Sequence, residues 1–245
     1  MKTIIKLTAL ILLSLLTVFC TSARKKPDPV RVLLITGGHG FDKEPFYTLM
    51  QSLEGITVSE AKHPEALSMF RPENRNLYDV VLLYDSPRII GEQESQDFVD
   101  CLKEGKGLVV WHHAYCSYEH WTEYQAIVGG QYQRKDWTDH NGVSKPASTY
   151  THDAQFRVKV ADRKHPVTKG IRDFDILDET YANGRVNPGV HVLLTTDEPS
   201  STSSVAWTNR YGKSKVVTIL LGHDRHAWEN PDFVKLLTQA ILWAK

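Results

Sequence analysis

The chain has 245 residues and carries 29 Lys and Arg against 29 Asp and Glu, so its formal net charge is zero. A balanced charge without a basic stripe argues against a nucleic-acid partner. Three cysteines are too few for a disulfide scaffold in a protein of this size, which is long enough for one substantial α/β domain.

Residues 1–23 are predicted to be a signal peptide. Lys2 and Lys6 precede a mostly apolar run over residues 7–19, which is too short to span a bilayer comfortably. Without this segment, Lys and Arg fall from 29 to 27 against 29 acidic residues, a net charge of about −2. The charge of the remaining chain therefore stays close to neutral.

The predicted signal peptide indicates an exported protein, periplasmic or secreted. Cys20 raises the alternative of a lipoprotein, but Phe19 is bulky where a small residue is expected, so we favour a cleaved protein. Residues 24–245 are expected to form one domain without a membrane span, because no linker divides them.

The first half of the chain alternates apolar runs with amphipathic stretches. The predicted elements are a strand over Val30–Thr36, a helix over Phe41–Leu53, strands over Ile56–Ser59 and Leu77–Asp85, a helix over Gly91–Lys106 and a strand over Leu108–Trp111. This alternation is typical of a parallel sheet with helices on both faces.

The second half is less regular. The predicted elements are a short helix over Glu123–Val128, strands over Phe156–Val160 and Phe174–Leu177, an antiparallel pair at His191–Thr195 and Val205–Trp207, and a buried strand over Lys215–Leu221. The last helix is the clearest, with Asn230 as its cap, Pro231 at its first position and apolar residues on a helical period as far as Trp243.

Histidines follow three of the buried strands. They are His39, His112, His113 and His223. Because ligands gather at the carboxyl ends of parallel strands, we expect these residues at one edge of the sheet. Adjacent strand residues point to opposite sides, so at most one of His112 and His113 is expected to face a shared site.

Three carboxylates accompany these histidines: Asp178 and Glu179, which lie in the irregular segment, and Asp224. The candidate catalytic residues are His39, His112, His113, Glu179, His223 and Asp224. Histidines and carboxylates from several strand ends suit either acid–base catalysis or a divalent metal ion. No compact metal motif is present, so the metal is a hypothesis, with His39, His113 and His223 as its ligands if one is bound.

Other residues near these strand ends suit sugar binding. Aromatic rings with a polar handle pack against sugars as well as in protein cores, and a glycine turn can direct N–H groups at a polar ligand. The candidate substrate-binding residues are Gly38, Trp111, Tyr115, Trp121, Tyr181 and Trp228.

Taken together, these stretches resemble the ThuA-like (trehalose-utilisation) family. The matching motifs include Thr36-Gly-Gly-His-Gly-Phe41, Gly107-Leu-Val-Val-Trp-His-His-Ala114, His165-Pro-Val-Thr-Lys-Gly170, Asp178-Glu-Thr-Tyr181 and Leu220-Leu-Gly-His-Asp-Arg-His-Ala-Trp228. The resemblance covers almost all of residues 24–245. It implies a flavodoxin-like fold, similar to class I glutamine amidotransferases: an open, mostly parallel sheet with helices on both faces.

The same resemblance places the segment from His112 to Cys116 where the amidotransferase nucleophile lies, and His223-Asp224 where its His-Pro-Glu motif lies. The Gly-x-Cys-x-Gly elbow is missing, since Ala114 and Tyr118 flank Cys116. Glutamine hydrolysis is therefore not expected, and we favour a packing role for the thiol.

Three hypotheses follow. The first is an exported enzyme of carbohydrate catabolism that acts on a disaccharide, glycoside or keto-sugar, by hydrolase, isomerase or lyase chemistry through histidines, with or without a divalent metal. The second is a noncatalytic sugar- or partner-binding protein on the same scaffold. The third, which we favour least, is a cysteine-dependent amidotransferase or peptidase. A small carbohydrate is the expected partner, and a homo-oligomer is left open.

Overall fold

The computed structural model describes residues 27–87 and 89–245, and the predicted signal peptide lies outside them. These residues build a nine-stranded sheet, in the spatial order β2-β1-β3-β4-β9-β8-β7-β5-β6, and two short two-stranded sheets, Gly130–Gln131 with Arg185–Val186 and Trp137–Thr138 with Ser144–Lys145. The strands of the nine-stranded sheet are β1 (Val30–Gly37), β2 (Ile56–Lys62), β3 (Val80–Asp85), β4 (Gly107–Trp111), β5 (Thr149–Val160), β6 (Phe174–Ala182), β7 (His191–Thr195), β8 (Ser204–Tyr211) and β9 (Ser214–Ile219).

The sheet is parallel in its first part and antiparallel in its second. Strands β2, β1, β3, β4 and β9 run parallel, and β8, β7, β5 and β6 extend the sheet by antiparallel pairing. The predicted α/β, flavodoxin-like fold is confirmed. Since β1 lies between β2 and β3, the strand order reverses there, and a crevice is expected at the carboxyl ends of β1 and β3.

Helices cover both faces of the sheet. They are α1 (Lys43–Ser52), α2 (Glu92–Glu104), α3 (Thr122–Val128), α4 (Arg225–Trp228) and α5 (Pro231–Ala244), with 3-10 turns at Glu65–Phe70, Pro72–Leu77 and His112–Cys116. The predicted cap of the last helix is confirmed, because the Asn230 side chain accepts hydrogen bonds from the N–H groups of Asp232 and Phe233. Among the described residues, no helix is both long and apolar enough to cross a membrane.

The core consists of two apolar layers, one on each face of the sheet. Phe46 of α1 and Leu236 of α5 belong to one layer, and Phe98 of α2 and Ile127 of α3 belong to the other. Every residue of β3 and β4 is buried. A strand covered on both faces is mostly apolar, so both strands read as short, nearly continuous apolar runs, with Asp85 at the end of β3 as an exception.

The antiparallel part differs most from the sequence prediction. Strands β5 and β6 form a long hairpin, and Asp178 and Glu179 lie inside β6, where both are buried. The sequence indicated only Phe156–Val160 and Phe174–Leu177 as strands, because the first half of β5 is exposed and has no apolar alternation.

Candidate functional site

The four predicted histidines lie together at the carboxyl edge of the sheet. The ring centroid of His113 lies 4.2 Å from that of His39 and 5.2 Å from that of His112. The ring of His223 lies 5.2 Å from that of His112 and 6.0 Å from that of His39. Three separate strand ends, those of β1, β4 and β9, therefore supply one histidine cluster.

Both His112 and His113 face this cluster, although at most one was expected to. The expectation assumed an extended strand, whereas His112 leaves β4 with a φ of 50° and starts the 3-10 turn His112–Cys116. A positive φ is unfavourable for a residue with a side chain, and such strain is concentrated at functional sites. The turn rotates both imidazoles to the same side of the sheet edge.

The ring of His112 is fully buried and oriented by a backbone carbonyl. Its Nδ1 atom lies 2.6 Å from the carbonyl oxygen of Leu220, which can only accept a hydrogen bond, so Nδ1 carries a proton. The other ring nitrogen, Nε2, lies 2.9 Å from the hydroxyl of Tyr181 and 3.2 Å from Oε1 of Glu179. The tautomer that Leu220 imposes therefore points Nε2 at the carboxylate.

Glu179 is the carboxylate at the centre of the cluster. Its Oε2 atom lies 2.8 Å from Nδ1 of His152 and 3.7 Å from Nε2 of His223. Burial alone would raise the pKa of Glu179, but the hydrogen bond with His112 and the charges of His112 and His223 outweigh it and lower the pKa. Glu179 is therefore ionised at neutral pH.

Three of these groups are close enough to hold one metal ion. Among the described residues, one ligand atom each from His112, Glu179 and His223 lies within 4.8 Å of the other two. Two imidazole nitrogens and one carboxylate oxygen are a donor set that several divalent transition metals accept. The ligands predicted from the sequence were His39, His113 and His223, and of these the set contains His223.

His113 lies beside these groups and has no hydrogen-bond partner on either ring nitrogen among residues 27–87 and 89–245. It is 4% exposed, and its burial, followed by the proximity of His112, His39 and His223, lowers its pKa well below the ordinary value. Burial also lowers the pKa of His223, and His112 acts in the same direction. At neutral pH, His113 and His223 are therefore uncharged and able to accept a proton.

The family is shown by comparison with known proteins. The model of the ThuA family, described as trehalose utilisation, matches residues 31–244. The chain belongs to the ThuA family. The resemblance stated from the sequence motifs is thereby confirmed, and the family description relates it to carbohydrate utilisation. No curated protein matched the sequence.

Solved structures of ThuA-like proteins share the fold. One from Parabacteroides merdae is 20% identical, with a TM-score of 0.73 over 88% of this chain and 90% of that one. One from Bacteroides uniformis is 18% identical, with a TM-score of 0.68 over 91% and 94% of the two chains. A Salmonella typhimurium protein described as cytoplasmic is 14% identical, with a TM-score of 0.62 over 88% and 99%. At these identities the likeness establishes the fold alone.

In this ThuA-family protein, Asp178 supports the cluster by holding the loop that carries His223. Its Oδ2 accepts a hydrogen bond from the N–H of Gly222 at 2.6 Å, and its Oδ1 accepts one from the N–H of His223 at 2.9 Å. Burial raises the pKa of Asp178 to about 6, against the opposing effects of His112 and these N–H groups. Tyr84 fixes the same loop by donating its hydroxyl to the His223 carbonyl.

Asp224 lies at the border of the cluster. Its Oδ2 is 3.9 Å from Nδ1 of His223, and its Oδ1 accepts a hydrogen bond from the N–H of His226. Its observed role is that of the cap of α4. A catalytic role for Asp224 stays a prediction.

The predicted substrate-binding residues separate into two groups. Tyr181 contacts His112, and Gly38 precedes the exposed His39, so both border the cluster. The others pack in the two apolar layers, with Trp121 half-buried and three almost fully buried: Trp111, Tyr115 and Trp228. The structure therefore does not bring these four side chains to an open sugar-binding face.

The thiol of Cys116 lies against Tyr181. Burial raises its pKa to about 12, so the thiol stays protonated at neutral pH. A reactive cysteine needs a thiolate, and this environment disfavours one.

Sequence reasoning missed His152, which closes over Glu179 from β5. This residue sits where the β5–β6 pairing shifts register between Thr151 and Ala154, and the next residue, Asp153, has a φ of 54°. Its side chain is 54% exposed. The only sequence signal was the polar His152-Asp153 pair before a strand, which does not reveal a bulge or its partner across the hairpin.

Proposed function

We propose that this protein is an exported enzyme of carbohydrate catabolism in which His112, Glu179 and His223 hold a divalent cation beside the uncharged imidazole of His113. The observation that carries the proposal is the approach of the three ligand atoms to within 4.8 Å of one another. The family's relation to carbohydrate utilisation supports the substrate class, and the N-terminal sequence pattern supports export.

The tautomer of His112 is compatible with a bound cation. Since Nδ1 donates to Leu220, a neutral His112 presents a lone pair to the Glu179 carboxylate only 3.2 Å away. Two lone pairs at that distance repel each other unless the Tyr181 hydroxyl, 2.9 Å from Nε2, donates to one of them, His112 is an imidazolium, or a cation lies between them. A cation turns both lone pairs into ligands, and its binding requires the neutral imidazole and the ionised carboxylate.

The surroundings of the three side chains also suit a metal site. Ligating histidines usually donate their second N–H to a carbonyl or carboxylate, as His112 does to Leu220. Asp178 accepts hydrogen bonds from the backbone N–H groups of Gly222 and His223, which fixes the backbone that carries the His223 ring. His152 lies on the exposed side of Glu179, so its ring can move toward or away from a bound cation without displacing the buried His112 and Glu179.

The carboxylates of the cluster disfavour the usual glycosidase mechanism. That mechanism needs two carboxyl groups about 5–9.5 Å apart, one on each side of the glycosidic bond. Both oxygens of Asp178 accept backbone hydrogen bonds and one oxygen of Asp224 caps α4, which leaves Glu179 as the carboxylate at the centre of the cluster. Isomerisation of, or elimination from, a keto-sugar fits better than two-carboxylate hydrolysis.

The roles of the side chains follow from their charges. A bound cation would polarise a carbonyl oxygen of the sugar and so acidify the neighbouring C–H. His113, uncharged at neutral pH and not among the three ligands, accepts that proton and returns it to the product or to the leaving group. His39, exposed and 4.2 Å from the His113 ring, connects this proton to solvent.

Cation binding is the first test. Untagged protein is dialysed against a chelator and titrated with Zn²⁺ and Mn²⁺ by calorimetry, alongside Glu179→Gln, His223→Ala and the control His120→Ala, whose ring is 82% exposed on the surface. We expect the first two variants to lose at least about tenfold in affinity and the control to match wild type. Equal affinity in all four proteins would contradict the cation site.

Turnover is the second test. Wild type, His113→Phe and His39→Ala, each loaded with the ion that binds, are incubated with trehalose, related disaccharides and their keto derivatives, and products are followed by NMR. We expect turnover of a keto derivative by wild type and a loss of about 10²–10⁴-fold in His113→Phe. Sugar binding without turnover, unaffected by these substitutions, would support the noncatalytic alternative instead.

A further inference from the structure

Asp85, the last residue of β3, is a buried carboxyl that the histidine site does not use. It is 1% exposed, and neither of its oxygens has a hydrogen-bond partner among residues 27–87 and 89–245. Tyr84 before it packs on the face of the sheet that holds His113, so Asp85 points to the opposite face. An unpaired buried carboxyl is costly, and one in a native structure requires an explanation.

The side chain of Asp85 faces a narrow, enclosed cavity. His63 and Tyr118 line the same cavity, with Nε2 of His63 lying 3.2 Å from the hydroxyl of Tyr118. The remaining walls are apolar: Ile35, Leu67, Phe70, Leu83 and Phe98. Polar groups from three strand ends thus meet in a space without bulk solvent.

The titratable groups that line the cavity are uncharged at neutral pH, and the charge nearest to them is that of Glu65, an exposed residue that acts on His63. Burial raises the pKa of Asp85 to about 8. Burial lowers the pKa of His63 and raises those of Tyr118 and of Tyr124, which approaches from α3. These neighbours therefore provide no positive charge that would stabilise an ionised Asp85.

The loops around Asp85 are tied to one another by backbone hydrogen bonds. These run from His63 N–H to the Thr36 carbonyl, from Ser86 N–H to the Gly37 carbonyl and from Tyr118 N–H to the Pro87 carbonyl. The loop after β1 therefore lies between the loop after β2 and the loop after β3, and Asp85 sits beneath their junction.

The junction itself is too tight for a side chain. Gly38 has a φ of +76°, and a Cβ there would lie 2.8 Å from the carbonyl oxygen of Ser86. The next residue is His39, whose ring rests on that of His113. A small displacement of Ser86 therefore moves the backbone that carries His39.

We propose that protonated Asp85 is the positioning residue for the loop that carries His39, and that its ionisation separates this loop from the loop after β3. An ionised carboxylate cannot stay unsolvated in an apolar cavity. Asp85 releases one proton to solvent as the junction of Gly38 and Ser86 opens and water reaches the carboxylate. The effect on catalysis rests on the proposed function, whereas the opening of the junction does not.

Hydrogen exchange of the full chain tests the opening directly. Wild type, Asp85→Asn and the control Asp28→Asn, an exposed aspartate, are compared between about pH 6 and pH 9, with intrinsic exchange rates corrected. We expect peptides over residues 36–41 and 84–87 of wild type and of the control to lose protection by about tenfold per pH unit as the pH rises toward the pKa of Asp85, and to change little above it. Asp85→Asn, which cannot ionise, should keep its protection, and α5 should be unaffected in all three proteins.

Infrared spectroscopy of wild type provides a second measurement that does not depend on the variant folding. The carbonyl band of a protonated carboxylic acid should be present at pH 7 and disappear as the protein passes about pH 8. An Asp85 already ionised at pH 6, or equal pH dependence of exchange in wild type and Asp85→Asn, would overturn the proposal.

The decrease of activity with rising pH above neutrality distinguishes this proposal from the proposed function. Asp85→Asn should retain activity to higher pH than wild type if His39 takes part in turnover. Exchange that follows the expected pattern in a protein without sugar turnover would leave the positioning role intact and reject the catalytic one.

Discussion

Asp178 and His223 are joined by a hydrogen bond of 2.9 Å from the His223 N–H to Oδ1 of Asp178, across the gap between β6 and the loop after β9. The second oxygen of Asp178 accepts a hydrogen bond from the N–H of Gly222, and this second bond is buried. A carboxylate suits this position because it offers acceptors on both oxygens. The bond connects the antiparallel part of the sheet to the parallel part, where the histidines lie.

Asp178→Asn should therefore lower both stability and cation affinity. Asn keeps one acceptor oxygen, but its NH₂ group would face a backbone N–H, which costs about 1–3 kcal/mol. Urea unfolding at pH 7 measures the free energy of unfolding, and calorimetry measures the affinity. The matched control is Asp175→Asn on the same strand, which removes an exposed ion pair with Arg157 and should change stability by less than about 1 kcal/mol. Equal unfolding midpoints for the two variants would contradict the role of Asp178.

The parallel part of the fold and the histidines at its edge could be predicted from the sequence. Strands β3 and β4 are covered on both faces and, apart from Asp85 at the end of β3, are mostly apolar, so they stand out against the polar helix between them. Parallel strands share one carboxyl edge, so His39, His112 and His223 could be placed together without any knowledge of their distances.

The antiparallel part could not be predicted in the same way. Glu179 lies in β6, in the hairpin that β5 and β6 form, and the exposed half of β5 carries no apolar alternation that would reveal this pairing. The positive φ of His112 and the bulge beside His152 arise from tertiary packing, which local residue preferences do not encode. These features explain why His112, Glu179 and His223, the proposed cation ligands, were not evident as a set from the sequence.

His113 should make the protein sensitive to acid. The ordinary pKa of 6.5 applies to the unfolded chain, and the native pKa lies well below it. Between these values the unfolded state binds a proton that the native state does not, so the free energy of unfolding decreases as pH falls below about 6.5, by up to ~1.4 kcal/mol per unit. In His113→Phe this decrease should be smaller.

Urea unfolding of wild type and His113→Phe at pH 7 and pH 5 measures the difference. His120→Phe, with an exposed ring, is the control and should follow wild type. If the free energy of unfolding fell equally between pH 7 and pH 5 in all three proteins, the result would show that His113 is already protonated, or hydrogen-bonded, in the native state.

Cys116→Ser should preserve both cation affinity and turnover to within about twofold, because a protonated thiol is a poor nucleophile. The pKa of about 12 also predicts slow alkylation of Cys116 by iodoacetamide at pH 7. Cys101→Ser is a useful comparison, since burial raises the pKa of the Cys101 thiol as well. Cys101 lies in α2, in the apolar layer that contains Phe98, away from the histidine cluster. Complete loss of turnover in a stably folded Cys116→Ser would restore the cysteine-dependent hypothesis.

Gly222→Ala should be among the most damaging single substitutions near the site. Gly222 has a φ of +102°, and a Cβ there would overlap Nε1 of Trp111 and the ring of Phe233. Both the left-handed backbone and the steric overlap oppose a side chain, so we expect the free energy of unfolding to fall by more than about 2 kcal/mol. Because Asp178 binds the N–H of the same residue, the substitution should also displace His223 and weaken cation binding. Thermal unfolding and calorimetry check both effects against Gly189→Ala, where a Cβ would meet no atom within 4 Å. A Gly222→Ala protein as stable as the control would mean that the loop after β9 can move aside, and that His223 is not held as rigidly as the hydrogen bonds of Asp178 indicate.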